Sequence, residues 1–157
     1  MAKDKTSFYL DPLHSVGYLS RINFRAFSKA LENLTEPHGV TAGQWRILRV
    51  LWEEDGITQR EISDRVGITE PTVVKGLAGL ETAELITREV DESDRRKMIT
   101  RLTTRAKCLK KKLIPFVVDV NERALKGISR KDVDIARRVL AQTYLNLTED
   151  GTCKTFH

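Results

Sequence analysis

Apolar residues recur every three to four positions through most of this chain, and the points where that rhythm fails mark its elements. From Pro12 to Leu34, the residues Val16, Leu19, Ile22, Asn23, Ala26, Phe27, Ala30 and Leu34 fall close to one stripe, which predicts a helix. Tyr18, Phe24 and Leu31 add apolar surface off that stripe, more than a single buried face needs. Residues 35–40, with Pro37 and Gly39, break the pattern. Thr41 then suits the N-cap of a helix in which Trp45, Leu48, Leu51 and Trp52 alternate with Arg46, Arg49, Glu53 and Glu54, ended by Asp55-Gly56.

Two short helices follow. Thr58 and Glu61 have the spacing of a capping box, Ile62 and Val66 supply a buried face, and Gly67 ends the helix where glycine tolerates a left-handed backbone. A second helix restarts with Thr69 as N-cap, Glu70 near the positive end of the dipole and Pro71 in the first turn. Two short helices joined by a glycine turn predict a helix-turn-helix. In the second, Val73, Leu77 and Leu80 form the inward stripe, leaving Thr69, Pro71, Thr72 and Lys75 at its start or pointing away. Such groups at a helix N-terminus suit the edges of bases: Thr72 can donate, accept or touch a thymine methyl, and Lys75 can reach a guanine or a phosphate. Taken alone, Thr and Lys on an exposed helix end are ordinary.

The segment after this helix changes that balance. Residues 85–90 and 97–102 are β-prone runs, separated by the polar tip Asp91-Glu92-Ser93-Asp94-Arg95-Arg96. Between Arg95 and Lys112 stand nine cations and no acidic residue, an asymmetry that favours a phosphate backbone. Beyond it a long helix starts at Thr103 or Thr104 and runs to about Lys126, with Leu113, Phe116, Val117 and Val120 on its buried side and Pro115 expected to kink it. Gly127 ends it, and Ser129 opens a last helix whose apolar face is Ile135, Val139, Leu140, Tyr144, Leu145 and Leu147. Most of these apolar residues are expected in the core. Residues 148–157 are polar and read as a flexible tail.

At 157 residues, with a formal charge of +5 and a pI near 9.3, the chain predicts one domain and an anionic partner. No apolar run approaches the roughly 18 residues of a spanning helix, and Met1-Ala2-Lys3-Asp4-Lys5 lacks an apolar signal region, so a cytoplasmic protein with no membrane partner is expected. Cys108 and Cys153 have no metal-ligand spacing, and the histidines His14, His38 and His157 are scattered. Without a Gly-rich phosphate loop or a nucleophile elbow, neither an enzyme nor a metal or other cofactor is expected. The basic neighbours of Cys108 would favour its thiolate, which leaves a thiol-based redox sensor as one alternative. A basic protein-interaction module docking an acidic partner is another.

The helix-turn-helix, followed by Leu80-Glu81, Leu85-Ile86, Arg88, Asp94-Arg95-Arg96 and Leu102-Thr103, resembles the MarR family of bacterial transcription regulators, over essentially Ser15 to Leu147. The aspartate and arginine of the wing, Asp94 and Arg96, are the most specific part of the match. The resemblance implies a mainly α fold with a small two- or three-stranded β-wing: a winged helix-turn-helix over 41–103, with helices 12–34 and 104–147 forming a dimerisation body. It further implies a homodimeric repressor on a pseudo-palindromic DNA operator, released by a small effector such as an aromatic acid or thioester. On that pattern Thr69, Pro71, Thr72 and Lys75 face the major groove. Arg95 and Arg96 reach the minor groove or phosphates, and Asp94 positions the wing. Tyr18, Arg21, Phe24, Arg25, Trp45 and Arg46 are the candidates for effector contact, although core and solvated helix faces are their ordinary roles. Two departures stand out. Gly76 and Gly79 interrupt the recognition helix at about 1 kcal/mol each relative to alanine. The family's usual glycine before Leu85 is replaced by Ala83-Glu84, which puts the turn into the wing in question.

Overall fold

The computed structural model describes residues 5–148. Its elements are α1 (Lys5–Leu10), α2 (Val16–Thr35), α3 (Ala42–Glu53), β1 (Ile57–Thr58), α4 (Gln59–Val66), α5 (Glu70–Thr82), β2 (Ile86–Val90), β3 (Met98–Leu102), α6 (Thr104–Ala124) and α7 (Arg130–Thr148), with single 3-10 turns at Pro12–His14 and Glu36–His38. The caps read from sequence at Thr41, Thr58 and Ser129 form. Thr41 and Gln44 make a capping box, as do Thr58 and Glu61, and Gly67 takes φ 70° at the end of α4. The Ser129 hydroxyl accepts from the backbone N–H of Asp132 at 3.2 Å, satisfying a first-turn donor of α7.

The core is built around α3. Ile47, Leu48 and Leu51 are almost fully buried there, joined by Ile62 from α4, Val73, Leu77 and Leu80 from α5, Leu85, Ile86 and Leu102 around the wing, and Leu113 from α6. One of the two glycines of α5 has its reason here: a Cβ on Gly76 would lie 2.5 Å from Cδ1 of the buried Ile47, so α5 approaches α3 more closely there than alanine allows, whereas one on Gly79 would lie 2.8 Å from Gln44 Nε2, the movable end of a side chain.

The wing is a three-stranded antiparallel sheet in the order β1-β3-β2. Ile86 pairs with Leu102 and Val90 with Met98, while the two-residue β1 adds Ile57 opposite Thr100. The sequence pattern assigned no residues to this third strand, because two residues carry no alternation. At the root of the wing Glu84 takes φ 56°. The left-handed turn that glycine would serve is therefore kept, with a non-glycine residue in it.

Three other expectations are corrected. The first helix does not run from Pro12: Ser15 caps α2, its hydroxyl accepting from Tyr18 N at 3.2 Å, and a separate α1 precedes it. Thr148 belongs to α7 rather than to the tail, while 149–157, including Cys153, lie outside the described residues. Finally, the apolar side chains of α7 are not core. None of its residues is buried, and Ile135, Val139, Leu140, Leu145 and Leu147 are exposed. The pattern predicts an apolar face correctly, but nothing among the described residues buries it. No helix among the described residues is long and apolar enough to cross a membrane.

Candidate nucleic-acid interface

The turn between α4 and α5 is held from inside. Ser63 Oγ donates to the carbonyl of Ile68 at 2.6 Å, and Gln59 Nε2 reaches Glu70 Oε2 at 3.4 Å, tying the two helices together on either side of Gly67. With Val73, Leu77 and Leu80 anchored in the core, the opposite face of α5 is turned to solvent: Pro71, Thr72, Val74, Lys75 and Ala78 are all exposed. Thr69 occupies the N-cap position, but its hydroxyl caps no backbone N–H. It lies instead 3.0 Å from the hydroxyl of Thr72, a pairing that fixes the orientation of both at the helix start. Lys75 has no ion-pair partner among the described residues.

The wing tip is shaped by two aspartates. Asp91 Oδ1 accepts from Ser93 N at 2.7 Å, from Ser93 Oγ at 2.6 Å and from Asp94 N at 3.3 Å. These bonds, the Ser93 hydroxyl first, hold the Asp91 carboxyl below its ordinary pKa. Asp94 Oδ1 accepts from the backbone N–H of Arg96 at 3.1 Å and lies 3.8 Å from Arg96 Nε, while Lys97 Nζ stands 3.9 Å from the other carboxylate oxygen. Asp94 thus organises the turn that presents Arg95 and Arg96, and the Arg96 side chain is 96% exposed.

The rest of the basic run is less free than its sequence implies. Arg101 pairs with Glu89, Arg105 with Glu84 at 3.7 Å and Lys107 with Asp55 at 3.1 Å, and Lys110 Nζ donates to the carbonyl of Trp52. These acidic partners lie elsewhere in the chain, where a count along one stretch cannot see them. Among the described residues, exposed cations without an ion-pair partner near the helix-turn-helix include Arg60 on α4, Lys75 on α5 and Arg95 on the wing, where Arg96 stands beside Asp94 with its side chain almost fully exposed.

Sequence reasoning missed two features of this face. Val74 is 43% exposed beside Lys75, because of the adjacent pair Val73-Val74 only the first can point inward. Counting one further position around the helix would have found it. Arg88, on β2, keeps its Nε buried without a hydrogen-bond partner among the described residues.

The candidate effector residues divide. Phe24, Arg25 and Arg46 line one open depression of about 480 Å³, joined by Lys29 and Glu32, with the Arg46 guanidinium 5.5 Å from the Phe24 ring centre. Tyr18 and Arg21 form a separate cation–π pair at 5.2 Å nearer the start of α2. Trp45 is only 7% exposed and packs edge-to-face on Trp52 at 5.4 Å, as a member of the core. Cys108 is exposed on α6.

The MarR family model matches residues 38–97, the stretch from the turn before α3 to the wing tip. The HTH-type transcriptional regulator TtmR of Methylorubrum extorquens is 34% identical over 115 residues, 73% of this chain and 56% of its own length. This chain therefore spans little more than half of that relative. Among solved structures, a MarR transcriptional regulator from Methanosarcina mazei Go1 matches with a TM-score of 0.77 at 25% identity, over 85% of this chain and 96% of that one. The transcriptional repressor CouR, bound to a 23-mer DNA duplex, matches with a TM-score of 0.75 at 25% identity, over 83% and 92%. CouR from Rhodococcus jostii RHA1 bound to p-coumaroyl-CoA shares the fold at a TM-score of 0.72 and 23% identity, over 82% and 91%. The winged helix-turn-helix of this chain is thus similar to that of the MarR family of transcriptional regulators.

Proposed function

We propose that the protein is a homodimeric, sequence-specific DNA-binding repressor of the cytoplasm, released from a pseudo-palindromic operator by a small ligand. The observation that carries the reading is the pairing of the outward N-terminal half of α5, with Thr72 and an unpaired Lys75, with a wing tip that offers Arg95 and Arg96. Lys75 and Thr72 supply base-edge contacts, and the wing arginines supply minor-groove or phosphate contacts. The DNA-bound CouR neighbour supports the same use of the fold.

The dimer is supported by the uncovered apolar surface. Residues 12–34 and 104–147 hold most of it, with Val16, Ile114, Val118, Val139, Leu140 and Leu145 exposed in one chain. A second copy covers such a surface with itself, since an isologous interface pairs a patch with its own equivalent. Two copies of α5 then read half-sites about one DNA turn apart, roughly 34–36 Å. A ligand that prefers a dimer of different spacing weakens DNA binding by its differential affinity. The depression beside Phe24, Arg25 and Arg46, with an aromatic face and cations, suits an aromatic acid or its thioester, and the thioester bound to CouR supports that class.

Selection of duplexes from a random pool by the purified protein tests the reading, repeated with aromatic acids, their thioesters and the reducing state varied. Recovery of an inverted repeat that one addition abolishes supports it. An absence of sequence preference at low and moderate salt overturns it and leaves the basic face to an acidic protein.

A further inference from the structure

The face that α5 turns to solvent is less polar than its role suggests. Pro71, Val74 and Ala78 are spaced three and four residues apart, so they form one apolar strip along the helix, with Lys75 beside it. All three are exposed, Val74 by 43%. Folding gives no reason for valine there. A β-branched residue is a poorer helix former than alanine or lysine, and the core position of the pair is already filled by Val73. A single exposed apolar residue is ordinary. Here the strip occupies the middle of the face bounded by Thr72 and Lys75, the surface that meets base edges.

In the major groove, the apolar group that base pairs present is the C5-methyl of thymine. We propose that the Pro71–Val74–Ala78 strip is a specificity element that packs on thymine methyls, with Val74 at its centre, so that each half-site carries thymine opposite α5. The inference rests on the reading of α5 as the DNA-facing helix. Glu70, the acidic group at the same helix end, is engaged by Gln59 and does not oppose this contact.

The test uses the duplex recovered by selection, resynthesised with deoxyuridine replacing thymidine one position at a time, which removes only the methyl. Binding of the full chain weakens about fourfold for each buried methyl lost, and only at half-site positions facing α5. Val74→Ser, on an exposed position, keeps the wild-type melting temperature and no longer distinguishes deoxyuridine from thymidine at the central position. If the wild type binds every deoxyuridine duplex as tightly as the parent while still rejecting scrambled sequence, the strip is not a reader although α5 is. A deoxyuridine penalty that persists undiminished in Val74→Ser also overturns the proposal. Loss of all sequence discrimination in the wild type overturns the DNA reading and the strip together.

Discussion

The indole Nε1 of Trp52 donates to the backbone carbonyl of Ala106 at 3.0 Å, joining the end of α3 to the first turns of α6 across 54 residues of sequence. Lys110 Nζ returns to the carbonyl of Trp52 at 3.1 Å, and Asp55 accepts from Leu102 N at 2.8 Å while pairing with Lys107. The base of the wing, the helix before the helix-turn-helix and the body helix are thus fastened at one joint. Trp52→Phe keeps the ring and removes the donor. It is expected to lower stability by about 1 kcal/mol, or about 2–4 °C at fixed protein concentration. An unchanged melting temperature would show that the joint is held by packing alone.

Gly76 and Gly79 should respond differently to alanine. Ile47 is buried and has nowhere to move, so Gly76→Ala is expected to cost about 1 kcal/mol net despite its better helix propensity. Ile47→Val removes the clashing Cδ1 and should make the double mutant more stable than additivity predicts. Gly79→Ala meets only the end of the Gln44 side chain and should stay within about 0.5 kcal/mol of wild type. Urea unfolding of the four variants beside the wild type decides this, and equal losses at both glycines would refute the close-approach account.

Glu84 holds a left-handed backbone with an 84% exposed side chain. Its contact with Arg105, at 3.7 Å between two exposed groups, contributes little. Glu84→Gly is therefore expected to stabilise the fold by about 1 kcal/mol, read as a rise of about 2–4 °C. A fall in melting temperature would mean the ion pair outweighs the strain.

The capping box of α4 predicts a pH dependence. Bonds from the Thr58 hydroxyl, at 2.6 Å, and from the Thr58 backbone N–H, at 2.8 Å, hold the Glu61 carboxyl below its ordinary pKa. A carboxyl whose folded pKa is depressed adds stability that is complete above the unfolded value and is lost as pH falls through the folded one. Glu61→Gln should lower stability at neutral pH and make the acid limb of the stability curve shallower. Parallel acid limbs for mutant and wild type would exclude Glu61 as a contributor.

Arg96→Ala is expected to weaken operator binding by about one to two orders of magnitude and to leave the melting temperature unchanged, because its side chain is almost fully exposed. If Lys75 reads a base, Lys75→Ala loses discrimination among sequences, whereas a phosphate contact gives a uniform loss with a salt slope smaller by about 1. Normal operator binding by the Arg96 variant would remove the wing from the interface.

What could be read in the residues alone was what near neighbours decide. The N-cap at Thr41, the capping box at Thr58, the left-handed Gly67 and the buried stripe Val73-Leu77-Leu80 depend on residues a few positions apart, and each is present. The exposure of Thr72 and Lys75 was equally legible, since a helix with one face in the core must show the other. The tertiary structure alone decided the rest. Only pairing across the sheet makes a strand of Ile57-Thr58, and only distant carboxylates neutralise Arg101, Arg105 and Lys107. Only the approach of α3 explains Gly76, and only the packed fold shows that the apolar face of α7 finds no cover among the described residues. Each of these turns on contacts between residues far apart in the chain, where a local pattern states what a side chain needs but not which neighbour meets the need.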